Sequence, residues 1–378
     1  MKRIAVIALC LLLLAGVWGC AKDPGDTVIA TINGKNLYQR DFEAPFLTYL
    51  NQYSQAGYDM TNAENLKALQ DSVFNTLVRS EVIYQQAAAQ NLTLTEEEKA
   101  AIAKDASAQY DALLSAYVQQ AQLNNESDPE KAGKQKFLEE LKAQGYTEKT
   151  LREQIEHDMQ KSSLTAKLEE SITSKVTFTE EEAKTRYETE LNEQRASFTA
   201  NPAAYESAQS AYESGSGAPP LYVPEGFVRV KHILVSDEST ANALITRLDA
   251  GEDFDALMAE FGTDPGMKAE PNKTFGYLLG QNTSFVQEFK EAGLALANVG
   301  DHTAPVKSQF GYHIIKLVSR VESGDQPFES VKTDYISRSL LALKQEAYGA
   351  EVERWTQEAD ITSYIGRIRT LGAATPAP

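Results

Sequence analysis

The sequence predicts an α+β fold, with one compact α+β unit carried by a mostly helical chain. Three observations lead there. Apolar residues recur at helical spacing through the first half and again near the C-terminus. Strand and helix patterns alternate over about ninety residues from Phe227 to Leu317. The length of 378 residues, 42% hydrophobic and 24% charged with mean hydropathy −0.39, suits a soluble chain of two or three units.

Taken in order, Met1-Lys2-Arg3 is a positive start and Ile4 to Gly19 an apolar run of 16 residues, short for a spanning helix. It reads as an export signal over 1–19. The chain has only two cysteines, Cys10 inside that run and Cys20 directly after it. Cleavage before Cys20 leaves one cysteine at the first mature position, which resembles a bacterial lipoprotein signal whose thiol takes a diacylglycerol anchor. Trp18 stands where that pattern carries a small residue, and an ordinary secretory leader with Cys20 incidental is the alternative. A disulfide framework is excluded in the mature chain. Loss of Lys2 and Arg3 takes the net charge from −18 to −20, a field that repels nucleic acid and anionic headgroups.

Residues 20–26 form a polar tether. Thr27 to Ile32 is an apolar strand ending in the turn pair Asn33-Gly34. Leu66, Leu69, Val73 and Leu77 lie on one helical face. Thr95 with Glu98, and Thr179 with Glu182, carry the spacing of a capping box at a helix start. Helices are thus expected over 27–191. Residues 192–225 turn rich in Asn, Ala, Ser, Gly and Tyr and read as a linker or insertion. The α+β unit follows at 226–320. A C-terminal helix is expected over 321–364, with Tyr348, Val352, Trp355 and Ala359 on one side, and burial of that side predicts a return to the N-terminal helices. Residues 365–378 read as a disordered tail.

In Phe227 to Val235, alternation puts Val228, Val230, His232 and Leu234 on one face, and in Gly311 to Leu317 it groups His313, Ile315 and Leu317. A histidine on an apolar strand face is either a hydrogen-bonded core residue or a member of a site. Asp264-Pro265-Gly266 is equally a plain turn, and Phe275, Phe285 and Phe289 equally core. His302 and His157 read as solvated.

Val-Lys-His232-Ile-Leu-Val, Phe261-Gly-Thr-Asp264-Pro-Gly, Phe275-Gly-Tyr277, Phe285-Val-Gln-Glu-Phe289 and Pro305-Val-Lys-Ser-Gln-Phe-Gly-Tyr-His313-Ile-Ile-Lys316 resemble, in order and spacing, the parvulin prolyl isomerases. The flanking segments and leader are similar to PrsA-type foldase lipoproteins and SurA-like chaperones. The resemblance implies a four-stranded antiparallel sheet with helices, inserted in or attached to a helical chaperone domain. It also implies His232, Asp264 and His313 as catalytic residues, and Phe275, Phe285, Phe289 and Ser308 as substrate-binding. It implies lipidation of Cys20, no metal or organic cofactor, and action outside the cytoplasm on unfolded exported polypeptides containing X-Pro bonds, with membrane contact through the lipid and no nucleic acid. It leaves room for a homodimer.

Two departures stand out. Asn272 to Gly276 replaces the Gly-Gly-Asp-Leu-Gly run of many parvulins, which favours as the alternative a holdase whose parvulin unit only binds peptide. Ser236-Asp237-Glu238 replaces a basic cluster, which argues against selection of phosphorylated substrates.

Overall fold

The computed structural model describes residues 27–143 and 146–371. The expected leader, Cys20 with the expected tether, and the end of the expected tail beyond Leu371 lie outside the described residues. The described chain divides into two compact units, one running to Thr177 and resuming at Leu341, the other spanning Phe178–Leu340.

The first unit opens with β1 (Val28–Ile32) and β2 (Lys35–Tyr38), antiparallel across Asn33 and Gly34. Both turn residues have positive φ, 49° and 81°, the conformation in which Asn-Gly closes a two-residue hairpin. Helices follow: α1 (Gln39–Gln55), α2 (Ala63–Ala89), α3 (Glu96–Leu123), α4 (Pro129–Ala143) and α5 (Glu148–Thr173). The Thr95–Glu98 capping box is closed in both directions. Leu66, Leu69 and Val73 are buried against Ile29, Phe42 and Phe46, with Leu77 packed at the edge of that core. A separate cluster, centred on Tyr110, Phe137 and Ile155, joins α3, α4 and α5.

The second unit begins with α6 (Glu180–Ala200), started by the closed Thr179–Glu182 box, and α7 (Pro202–Glu213). Residues 192–225 are therefore not a linker. Phe198, Tyr205, Leu221 and Val223 are buried, and these widely spaced anchors fold a Ser/Ala-rich segment onto the sheet unit. The chain continues through β3 (Tyr222–Val223), β4 (Val228–Val235), α8 (Glu238–Asp249), α9 (Phe254–Phe261), α10 (Pro265–Lys268), α11 (Asn272–Phe275), β5 (Tyr277–Leu279), α12 (Gln287–Leu294), β6 (Val306–Ser308), β7 (Gly311–Arg320) and β8 (Gly324–Asp325). Four strands make one antiparallel sheet in the order β5-β4-β7-β6. His232 pairs with Ile315 and Leu234 with His313, so both histidines stand on the same face. That face is packed by α12 around Val230, Leu279, Phe289, Ile315 and Leu317. Ile233, Val235 and Ile314 point the other way, into the core covered by α8 and α9. His302, expected to be solvated, is half-buried. It bridges to Lys316, and its Nε2 lies 3.6 Å from Asp249. His157 is exposed on α5, edge-on to Tyr84.

α13 (Phe328–Glu358) begins in the second unit and carries Val352 and Trp355 into the core of the first. The expected helix over 321–364 is thus shorter. β9 (Ile361–Ser363) pairs with β1 instead. Residues 365–371 are not a loose tail either: Ile365–Ile368 forms a 3-10 turn, Ile368 is buried, and the Gln70 amide donates to the carbonyl of Leu371 at 2.8 Å.

Candidate active site

Strand alternation and register bring two buried imidazoles together. His232 and His313 are each 4% exposed, and their Nδ1 atoms are 3.0 Å apart with the rings nearly parallel. Asp264 caps α10 and sends Oδ2 to His232 Nε2 at 2.6 Å, while Oδ1 accepts the Gly266 amide at 2.9 Å. The Tyr277 hydroxyl, from the start of β5, donates to the same Oδ2 at 2.9 Å. At the other end, Ser308 Oγ on β6 lies 2.6 Å from His313 Nε2 and accepts the Phe310 amide at 3.1 Å. The result is one chain of hydrogen bonds running Tyr277, Asp264, His232, His313, Ser308.

Electrostatics order its protons. The bond from His232, reinforced by Tyr277 and Gly266, holds the Asp264 carboxyl down to about 2, so it only accepts. Burial, then the neighbouring His232, pulls His313 down to about 4. Burial and the facing carboxylate push the Tyr277 phenol up, so it stays a donor. For a neutral histidine pair the directions then follow without choice. His232 donates through Nε2 to Asp264 and accepts at Nδ1. His313 donates from Nδ1 and accepts at Nε2 from Ser308.

Aromatic rings wall this chain. Phe289, 2% exposed, stands edge-on to both imidazoles, at 5.1 Å from His232 and 5.3 Å from His313. Phe285 stacks on Phe289 at 5.3 Å and meets Tyr277 at 5.0 Å. Phe275 takes no part in these ring contacts among the described residues and is 50% exposed on α11. The reason is local. Gly276 has φ 78°, and its backbone lies so close to β4 that a Cβ would sit 2.7 Å from the Val230 carbonyl oxygen. That turn breaks the alternation that would have put residues 275 and 277 side by side.

The structure thus brings His232, His313, Asp264, Ser308, Phe285 and Phe289 together and leaves Phe275 apart. Tyr277 was missed. Its signal was present in Phe275-Gly-Tyr277, together with Gly266, where a Cβ would run into the Tyr277 hydroxyl. Among the described residues no group of three or more His, Cys, Asp or Glu is arranged to hold a metal, and no helix is long and apolar enough to cross a membrane.

Residues 206–333, which contain the whole hydrogen-bonded chain, match the family model of the PPIC-type PPIase domain. Residues 206–333 thus carry a PPIC-type PPIase domain. Residues 2–127 of this PPIase match a second model, the SurA-like N-terminal domain. The chain is 27% identical over 345 residues to foldase protein PrsA of Clostridium botulinum (strain Okra / Type B1), covering 89% of this chain and 88% of that one. It is 26% identical over 373 residues to foldase protein PrsA of Clostridium kluyveri, covering 95% and 96%. NmPin, the parvulin of Nitrosopumilus maritimus, is 34% identical over 26% of this chain and 100% of its own, with a TM-score of 0.23. The PPIase is a peptidyl-prolyl cis-trans isomerase and a chaperone-type foldase.

Proposed function

We propose that the Asp264–His232–His313–Ser308 chain is the floor of the isomerase site, and that Phe285, Phe289 and Tyr277 form the wall that receives the proline ring. The observation that carries this reading is the continuous, largely buried hydrogen-bond chain lying edge-on beneath Phe289. Rotation about an X-Pro amide crosses a barrier of about 18–20 kcal/mol because it breaks amide resonance, and no covalent bond forms or breaks. A catalyst needs only to bind the twisted amide better than the planar one. Planarity places partial negative charge on the carbonyl oxygen. Aromatic walls strip water from that oxygen, and a floor whose formal charge is the Asp264 carboxylate penalises it further. The twisted form, with less charge on oxygen, suffers less. Two imidazoles held by hydrogen bonds at both ends keep this floor rigid, so little reorganisation accompanies the turn.

In this reading the clients are unfolded exported polypeptides with X-Pro bonds. The SurA-like unit holds them, Cys20 supplies the lipid that keeps the enzyme at the membrane surface, and the site takes unphosphorylated sequences. The test is turnover of an unphosphorylated X-Pro peptide by residues 21–378 beside His313→Ala and Phe289→Ala. Acceleration by the parent, lost in folded variants, supports the site. A folded parent that suppresses client aggregation yet leaves isomerisation at the rate of buffer overturns it.

A further inference from the structure

Arg229 stands on β4 three residues before His232, and its guanidinium serves two partners at once. One Nη donates to the Gly276 carbonyl at 3.1 Å, and the other pairs with the Glu213 carboxylate. Both side chains are about nine-tenths buried, 11% and 10% exposed. Glu213 is the last residue of α7, a helix held to the same unit by Tyr205, whose ring meets Phe227 at 4.9 Å in a cluster shared with Leu278 of β5. Gly276 is the point where the chain turns tightly against β4. Tyr277 follows directly, and its hydroxyl is the bond that Asp264 receives opposite His232. A continuous line of contacts therefore runs from α7 to the floor of the site. The planar guanidinium fork is what lets one side chain hold a carboxylate and a carbonyl together.

We infer that Glu213 and Arg229 are positioning residues of the isomerase: α7 fixes Arg229, Arg229 fixes the Gly276 carbonyl, and this sets Tyr277 on Asp264. The inference rests on the site reading above and adds to it a role for the 192–225 segment, as a brace of the site and not a spacer. Neither residue touches substrate. Loss of either moves Tyr277 off the carboxylate and loosens the proton order of the histidine pair.

The experiment uses the chain from Ala21 to Pro378 with Arg229→Met, Glu213→Gln, and the exchanged pair Glu213→Arg with Arg229→Glu. Prolyl turnover is read as kcat and KM separately, and the imidazole N–H signals of His232 and His313 by NMR. Since a misplacement of about 1 Å at a site can cost about a hundredfold, Arg229→Met is expected to lower kcat at least about tenfold with KM within about twofold. The proton signal between the two Nδ1 atoms shifts with it. The exchanged pair re-forms the ion pair and recovers the melting temperature but not kcat, because a carboxylate at 229 cannot donate to the Gly276 carbonyl. Should Arg229→Met not fold, Glu213→Gln, which keeps shape and one hydrogen bond, carries the same comparison. The inference is overturned by a folded variant with unchanged kcat and imidazole signals, or by an exchanged pair that recovers kcat along with stability. A parent without turnover refutes the site reading instead, so the two failures are told apart.

Discussion

Acid should loosen the sheet of the PPIC-type unit well before Asp264 titrates. His313 is buried at 4% exposure, and burial with the adjacent His232 lowers it from 6.5 to about 4. Below 6.5 the unfolded chain takes a proton at this residue that the folded chain refuses. Stability from this group is therefore complete above 6.5, falls as pH drops from 6.5 towards 4, and changes no further below that. At about 1.4 kcal/mol per tenfold difference in proton affinity, the loss across this window is about 3 kcal/mol. Asp264 acts lower: lowered from 3.8 to about 2, it withdraws its own stabilisation only below 3.8. Trp355 sits in the core of the other unit, so its fluorescence is the wrong probe. The assay is hydrogen exchange at β4 and β7 amides such as Ile233 and Ile314, from about pH 7 to about pH 4, for the parent and His313→Asn. The parent should lose protection through the window and the variant should not, once both are corrected for intrinsic exchange. A His313 that titrates near 6.5, or equal pH dependence in both proteins, would refute the reasoning.

Tyr277→Phe removes a donor to a carboxylate, which costs about 1.5–3 kcal/mol and raises Asp264 from about 2 towards 3.8, measured by carboxyl carbon NMR. Gly266→Ala should reproduce that titration change with the hydroxyl still present, since the added Cβ meets the Tyr277 oxygen. Phe289→Ala empties a buried site against both imidazoles, so the unit should lose about 3–5 kcal/mol in denaturant unfolding and its prolyl turnover with it. Ser308→Ala leaves His313 Nε2 without its donor at a cost of about 1–3 kcal/mol, and the His313 imidazole signals should report the change.

Much of this was legible in the sequence for physical reasons. Both Thr–Glu capping boxes and the Asn33-Gly34 turn are local, so spacing alone determines them. The two histidines were legible as a face because strand alternation has period two. Their mutual bond was not, since it depends on the register between strands eighty residues apart. The 192–225 segment was misread because its Ser, Ala and Gly content hides the few aromatic anchors, Phe198 and Tyr205, that fold it. β9 and the Ile365–Ile368 turn were missed because a three-residue strand takes its stability from pairing with β1, over three hundred residues away in sequence. Tyr277 and not Phe275 joins the aromatic cluster because the chain turns at Gly276, where φ is positive, a local geometry that the family resemblance used for Phe275 does not carry.

The most direct measurement is two-dimensional exchange NMR on an unphosphorylated X-Pro peptide with a substoichiometric amount of residues 21–378, recorded alongside the His232, His313, Phe285 and Phe289 side-chain signals. The account predicts cis–trans exchange cross-peaks that appear only with the protein, together with shifts confined to those rings and Tyr277. Exchange that persists unchanged in His313→Ala, or peptide-induced shifts that miss this cluster, would contradict it.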